Sequence, residues 1–152
     1  MKISIITVTY NSSTTILDCI NSVNNQSYKD IEHIIIDGLS TDNTINLINS
    51  VSSRVKIVVS EKDYGIYDAM NKGISLATGE IIAILNSDDI YASSYVIEEV
   101  VAYFKSNSNL GILYGNLQYV KKDNIQKVVR VWNSLPYFNN FFENGNVPPH
   151  PS

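Results

Sequence analysis

Apolar residues arrive in short, unbroken runs with polar stretches between them. Ile3 to Val8, Ile31 to Ile36, Val55 to Val59 and the run beginning at Ile81 are each a few residues long and rich in β-branched side chains. Such runs suit strands buried in a parallel sheet. Between them the apolar positions recur at helical spacing. Ile16, Leu17, Cys19, Ile20 and Val23 form one face, with Ser12 or Ser13 placed to cap its helix. Ser40-Thr41-Asp42-Asn43-Thr44 is capping chemistry for a second helix over Thr44 to Val51. Ile66, Ala69, Met70, Gly73, Ile74 and Ala77 form the inward face of a third, which Gly79 stops, and a fourth runs from about Ser93 to Lys105. Four strands, each followed by a helix, predict an α/β fold: a mostly parallel sheet flanked by helices, doubly wound or a close variant.

The remainder of the chain is patterned differently. Leu110 to Lys121 and Ile125 to Trp132, joined by Lys122-Asp123-Asn124, predict a C-terminal β-hairpin. No boundary is visible before Asn133, so residues 1–132 are expected to form one core. Residues 133–152, with Tyr137, Phe138, Phe141 and Phe142 followed by Pro148-Pro149-His150-Pro151-Ser152, read as the start of a further region whose continuation is missing. The aromatic stretch is expected to be core that packs on that continuation, the other reading being contact with a membrane surface or a lipid-linked molecule.

One run differs from the rest in how it ends. Ile81-Ile82-Ala83-Ile84-Leu85 reads as a strand in the middle of the sheet, and it leads through Asn86-Ser87 into Asp88-Asp89. Adjacent carboxylates repel and are costly to bury without a cation to share. Oxygen donors with no Cys or His beside them favour Mg²⁺ or Mn²⁺. The plainer reading is a solvated turn with an Asp capping the next helix.

Composition narrows the class. A chain of 152 residues suffices for a domain with a sizeable core, and a net charge of −4 argues against a nucleic-acid binder. Cys19 has no partner for a disulfide within the chain and reads as core packing in a reducing, cytoplasmic setting. The segment MKISIITVTYN does not read as a signal peptide, and no stretch reaches the length of a membrane span. Five of the fifteen acidic residues (Asp37, Glu61, Asp63, Asp88 and Asp89) fall at or just after predicted strand ends, where an open α/β sheet binds its ligands. An acidic rim, a divalent cation and helix N-termini that favour phosphate together fit a nucleoside diphosphate. No GxGxxG follows the first strand and no GxxxxGK followed by Ser or Thr occurs, which speaks against dinucleotide and P-loop sites.

Four ordered motifs then carry a resemblance. Thr7-Val8-Thr9-Tyr10-Asn11, Asp37-Gly38-Leu39-Ser40-Thr41-Asp42-Asn43-Thr44, the stretch Glu61-Lys62-Asp63-Tyr64-Gly65-Ile66-Tyr67-Asp68-Ala69-Met70-Asn71-Lys72-Gly73, and Leu85-Asn86-Ser87-Asp88-Asp89 resemble the N-terminal, nucleotide-sugar-binding part of a family-2 glycosyltransferase of GT-A fold, over roughly residues 2 to 132. The resemblance implies a metal-dependent, inverting, hexosyltransferase-type enzyme. It would move a sugar from a UDP-sugar to a glycan or lipid-linked acceptor in bacterial surface polysaccharide synthesis, O-antigen included, in the cytoplasm or at the inner face of the membrane.

Roles follow position by position. Tyr10 would stack on the uracil, with Thr7 and Asn11 supporting that pocket. Asp37 would bond the base, with Ser40 beside it. Asp63 and Gly65 would line the floor under ribose and diphosphate, with Asp68, Asn71 and Lys72 near the sugar-phosphate. Asp88 would meet the ribose or sugar, and Asp89 the Mn²⁺ or Mg²⁺ of the motif usually written DxD. Plain readings stand beside these: turn and cap residues for Asp37 and Asp42, a solvated lysine for Lys72, packing or a C-cap for Asn71, a surface tyrosine for Tyr10.

Two positions depart from the family pattern, Leu39 where Gly is frequent and Asn86 where an Asp often opens the metal motif. The catalytic base is expected beyond Ser152, with Glu143 the one candidate in the tail. His150 stands near where an acceptor-binding part would begin. Exposed apolar surface around Phe138, Phe141 and Phe142 favours self-association. Two other classes compete: a nucleotidyltransferase, which would show a glycine-rich basic loop where Tyr10-Asn11-Ser12-Ser13-Thr14 stands, and a non-catalytic nucleotide- or glycan-binding module.

Overall fold

The computed structural model describes residues 1–51 and 54–148; His150 and the rest of the Pro-rich end lie outside the described residues. Eight elements alternate through the first part: β1 (Ile3–Thr9), α1 (Ile16–Asn24), β2 (Ile31–Asp37), α2 (Thr44–Ser50), β3 (Val55–Ser60), α3 (Ile66–Leu76), β4 (Ile81–Ile84) and α4 (Val96–Ser106). The strands form one parallel sheet in the order β3-β2-β1-β4.

The expected α/β architecture is therefore present, with one correction to the sheet. Every residue of β1 and β2 is buried, whereas β4 is an edge strand among the described residues and Ile82 is 43% exposed. An unbroken apolar run does not distinguish a central strand from an edge strand when only one flank is paired, and β4 pairs with β1 alone here.

Three apolar clusters hold the layers together. Ile3, Ile5, Cys19, Val23, Ile81, Leu85, Ile97 and Val101 join the sheet to α1 and α4. Ile16, Ile20, Ile35 and Ile48 join it to α1 and α2. On the other face Ile6, Val8, Ile34, Ile36 and Ala69 seat α3. A Cβ at Gly73 would collide with Ile6, so the missing side chain is what lets α3 approach the sheet. Ile66 and Ile74, expected inward, are 47% and 43% exposed, because the buried stripe of α3 is the narrow one of Ala69 and Gly73.

The end of the sheet away from the strand carboxyl termini is closed by a buried carboxylate. Glu32 on β2 accepts hydrogen bonds from Ser4 Oγ (2.5 Å) and Thr78 N (2.6 Å), and pairs with Lys2 Nζ at 2.5 Å. Burial alone would raise its pKa; the bonds from Lys2, Ser4 and Thr78 outweigh this and bring it down to about 2.

The chain divides into two compact units, Met1–Ser106 and Asn107–Ser152. The second unit holds the antiparallel pair β5 (Leu117–Lys121) and β6 (Asn124–Trp132). The first hairpin strand is shorter than its apolar pattern suggested, since residues 110–116 join no ladder. Arg130 lies over the Tyr119 and Trp132 rings, 5.3 and 5.9 Å from their centroids. Phe141 is buried among the rings of Tyr114, Tyr137, Phe138 and Phe142, at centroid distances of 5.2 to 6.3 Å, while Tyr137, Phe138 and Phe142 remain exposed.

Candidate nucleotide site

In the order β3-β2-β1-β4 the chain steps outward from β1 through β2 to β3 and then crosses back to lay β4 on the other side of β1. The crevice at the carboxyl ends of β1 and β4 is the switch point where such sheets take ligands. The polar residues of the strand ends lie along this carboxyl edge of the sheet.

After β1 the chain turns through Tyr10, 62% exposed, and Asn11, at φ 49°. Asn tolerates this left-handed conformation better than most residues. Its amide oxygen accepts hydrogen bonds from Thr41 N (2.9 Å) and Asp42 N (3.3 Å), and its own N–H donates to Ser40 Oγ at 2.8 Å. Ser12 N donates to Thr44 Oγ1 (2.8 Å) and Ser13 N to Asp42 Oδ2 (3.1 Å). The loop under Tyr10 is thus tied to the loop after β2. The Ser12 and Ser13 side chains do not cap α1. The Ser12 carbonyl instead receives the N–H groups of Thr15 and Ile16. Hydrogen bonds from the Thr44 hydroxyl and Ser13 hold the exposed Asp42 carboxylate well below its usual pKa.

Asp37 is fully buried at the end of β2. Its Oδ2 accepts from Ser40 N (2.9 Å) and Ser60 Oγ (2.6 Å), and its Oδ1 from the Ser40 hydroxyl. Ser40 therefore does stand beside Asp37, as expected. Two side chains lie beside Gly38: a Cβ there would lie 2.6 Å from Asp63 Oδ2 and 3.5 Å from Tyr10 Cδ2. A side chain at Gly38 would displace the Asp63 carboxylate. Asp63 Oδ1 in turn takes the N–H of Gly65, whose φ of 114° only glycine adopts readily.

Lys72 is not a freely solvated lysine. Its ammonium lies 2.8 Å from Glu61 Oε1 and 3.4 Å from Asp68 Oδ2, and donates to the Lys62 carbonyl at 3.0 Å. The bond to Glu61 is the main cause that raises its pKa. Asp68 also accepts the Tyr64 N–H at 3.1 Å, while Asn71 is exposed on the helix.

Thr7 stands apart from these. It is buried inside β1, with Oγ1 2.8 Å from His33 Nε2 and 3.8 Å from Cys19 Sγ. Burial lowers the His33 pKa to about 4, so that imidazole stays neutral near pH 7. Thr7 belongs to the layer beneath the crevice and does not face it.

After β4, Asp88 is exposed and Asp89 half-buried, with the Asp89 N–H bonded to the Asn86 carbonyl at 3.0 Å. Among the described residues, no three His, Cys, Asp or Glu side chains gather in a metal-holding group. Two carboxylates nevertheless suit Mg²⁺ or Mn²⁺ in its usual nucleotide-bound mode, in which substrate phosphates and water complete the shell. The Asn86 Oδ1 is buried without a hydrogen-bond partner among the described residues, a further oxygen donor at that turn. Burial, with a smaller contribution from the charges of Asp89 and Asp88, pushes the Cys19 thiol up to about 12, so it stays protonated beneath them. Sequence reasoning missed Ser60 and Ser87; both are small polar residues whose partners lie far away along the chain.

A family model described as Glycosyl transferase family 2 matches residues 4–151. A UDP-Glc:alpha-D-GlcNAc-diphosphoundecaprenol beta-1,3-glucosyltransferase of Escherichia coli, WfaP, is 33% identical over 138 residues, covering 90% of this chain and 53% of that protein. A PGL/p-HBAD biosynthesis glycosyltransferase of Mycobacterium tuberculosis is 32% identical over 117 residues, covering 75% and 46%. The chain spans about half the length of the curated relatives it matches. Among solved structures, S. aureus TarS 1–349 superposes with a TM-score of 0.65 at 26% identity, covering 71% of this chain and 33% of that one. The mannosyltransferase PcManGT of Pyrobaculum calidifontis, solved with GDP-Man and Mn²⁺, shares the fold with a TM-score of 0.64 at 23% identity, covering 79% and 35%.

Proposed function

The chain belongs to glycosyl transferase family 2, and from that we propose that it carries the donor side of an inverting transferase, which moves a sugar from a UDP-sugar to a glycan or lipid-linked acceptor. The observation that carries this reading is that Tyr10, Asp63 and the pair Asp88–Asp89 each follow the carboxyl end of a strand of one parallel sheet, with Tyr10 and Asp63 both beside Gly38. The relatives support the donor and acceptor classes: WfaP is named for UDP-Glc and a diphosphoundecaprenol-linked sugar.

In this reading the Tyr10 ring stacks on the uracil. Asp37 lies beneath it with one acceptor position left on Oδ1 for the imide N–H. Because Asp37 is closed to solvent, side chains around it must shift for the base to reach it. Asp63 and Gly65 then face ribose and diphosphate, and Asp68, Asn71 and Lys72 lie toward the sugar-phosphate. Lys72, already paired with Glu61 and Asp68, brings little uncompensated positive charge. Asp88 would meet the ribose or sugar and Asp89 would hold Mn²⁺ or Mg²⁺, which would supply charge stabilisation to the leaving diphosphate. The acceptor hydroxyl attacks the anomeric carbon from the opposite side, and a carboxylate takes its proton.

The test is calorimetric titration of UDP, CDP and GDP with and without Mn²⁺. UDP should bind best and its affinity should depend on the cation. Asp89→Ala should abolish that dependence while leaving the fold intact by circular dichroism. Unchanged UDP affinity and cation dependence in the variant would remove the metal assignment, and no UDP binding by the unmodified chain would remove the donor reading.

A further inference from the structure

The face of α1 that packs under the β4–α4 connection carries a row of polar groups among its apolar ones. Ser12, just before the helix, has its Oγ 2.8 Å from Ser87 Oγ. Cys19 Sγ donates to the Asn86 carbonyl at 3.5 Å. Ser22 Oγ accepts the Tyr91 N–H at 3.3 Å. Gln26, 2% exposed just beyond the helix, donates to the Ser93 carbonyl at 2.7 Å and accepts the Ile97 N–H at 3.1 Å. The intervals of seven, three and four residues keep all four on one side of a helical path. Together they hold Asn86, Ser87, Tyr91 and Ser93 in the connection that bears Asp88 and Asp89, and Ile97 in the first turn of α4.

We propose that this polar row of α1 is what positions the Asp88–Asp89 turn, with Ser12 and Ser87 as the positioning residues at its ligand end. The inference rests on the donor-site reading only for what the turn binds. The Tyr10 loop is independently held by the bonds of Asn11 to Ser40, Thr41 and Asp42, of Ser12 N to Thr44, and of Ser13 N to Asp42. The hydroxyl of Ser12 lies 2.8 Å from that of Ser87, which is buried at 8% exposure, and also donates to the Tyr10 carbonyl at 3.3 Å. Removing the Ser87 hydroxyl cuts the link to the carboxylate turn and leaves the base loop on its own anchors; removing that of Ser12 cuts the same link and the longer bond to Tyr10 as well.

Amide hydrogen exchange and ligand titration of Ser12→Ala, Ser87→Ala and the double variant test this. Exchange across residues 86–91 should quicken on the order of threefold to tenfold in each single variant, the loss expected for one hydrogen bond. Residues 40–44 should exchange as before, and Ser87→Thr, which keeps a hydroxyl, should restore protection. UDP affinity should fall in each variant, and in the double no further than in Ser12→Ala, whereas uridine, which has no phosphate, should bind unchanged in Ser87→Ala. If Ser87→Ala does not fold, the half-buried Ser12→Ala cuts the same bond and decides the outcome. Unaltered exchange over 86–91, additive losses in the double variant, or equal losses for UDP and uridine would overturn the positioning role. A chain that binds no UDP but shows the exchange changes keeps the positioning role and loses the donor reading.

Discussion

Asn11 joins a strained backbone position to a hydrogen-bonding task. Asn11→Ala removes the amide oxygen that holds Thr41 and Asp42 and leaves a Cβ at φ 49°. The expected loss is about 2 kcal/mol of stability, measurable by urea unfolding. Asn11→Gly relieves the backbone part and should lose less; a glycine variant as unstable as the alanine one would place the whole effect in the side-chain bonds. Asp37 makes a different prediction. Uracil has an imide N–H and cytosine lacks it, so UDP should bind more tightly than CDP by about 1.5–3 kcal/mol if the carboxylate meets the base. Asp37→Asn should shrink that gap. Because Asp37 also braces Ser40 and Ser60, both ligands should weaken somewhat in the variant, and it is the difference between them that reports direct contact. Equal affinities for UDP and CDP in the unmodified chain would leave Asp37 only its bracing role.

At the scale of elements, the two ends of the sheet divide the work. The carboxyl ends carry the acids Asp37, Glu61, Asp63, Asp88 and Asp89, while at the other end Glu32 ties β1, β2 and the turn before β4 together. Its folded-state pKa of about 2 lies below the ordinary 4.5. A depressed carboxylate contributes stability fully above its unfolded pKa and loses it as pH falls through the folded one. The acid limb of the stability curve should therefore lie between about pH 4.5 and 2. Glu32→Gln should be less stable at neutral pH and show a smaller further loss across that window, as followed by thermal melts at stepped pH. A variant with an unchanged acid limb would assign that limb to other carboxylates.

For the molecule as a whole, the residues proposed for the donor lie in the unit Met1–Ser106, and Glu143 lies exposed in the unit Asn107–Ser152. An inverting transfer needs a carboxylate within hydrogen-bond reach of the acceptor hydroxyl. UDP binding without sugar transfer is the expected behaviour of residues 1–152. Turnover by this chain, assayed as sugar transferred from a UDP-sugar to a lipid-linked acceptor and lost in Glu143→Gln, would assign the base to Glu143 instead. Exposed Tyr137, Phe138 and Phe142 around the buried Phe141 leave apolar rings at the surface, so sedimentation of the purified chain is expected to show self-association that Phe142→Ser reduces.

The alternation of apolar runs and helical faces was sufficient to determine the eight elements of the α/β unit, because burial on a sheet and on a helix leaves different periods in a chain; the GT-A arrangement was implied by the resemblance that the four ordered motifs carry. The alternation also placed Tyr10, Asp37, Asp63, Asp88 and Asp89 at strand ends, since residues that stop a strand stand where it stops. The same pattern could not tell a strand flanked on both sides from one flanked on one, so β4 at the edge was settled by pairing. Nor could it show that Thr7 turns to His33, that Asp37 is enclosed by Ser40 and Ser60, or that Lys72 is taken by Glu61 and Asp68. The tertiary structure decided these, and above all the bonds of Ser12 to Ser87 and of Cys19 to Asn86, whose partners lie 75 and 67 residues apart. A hydrogen bond leaves no period in a sequence; its existence depends on where two distant segments are brought by the packing of everything between them.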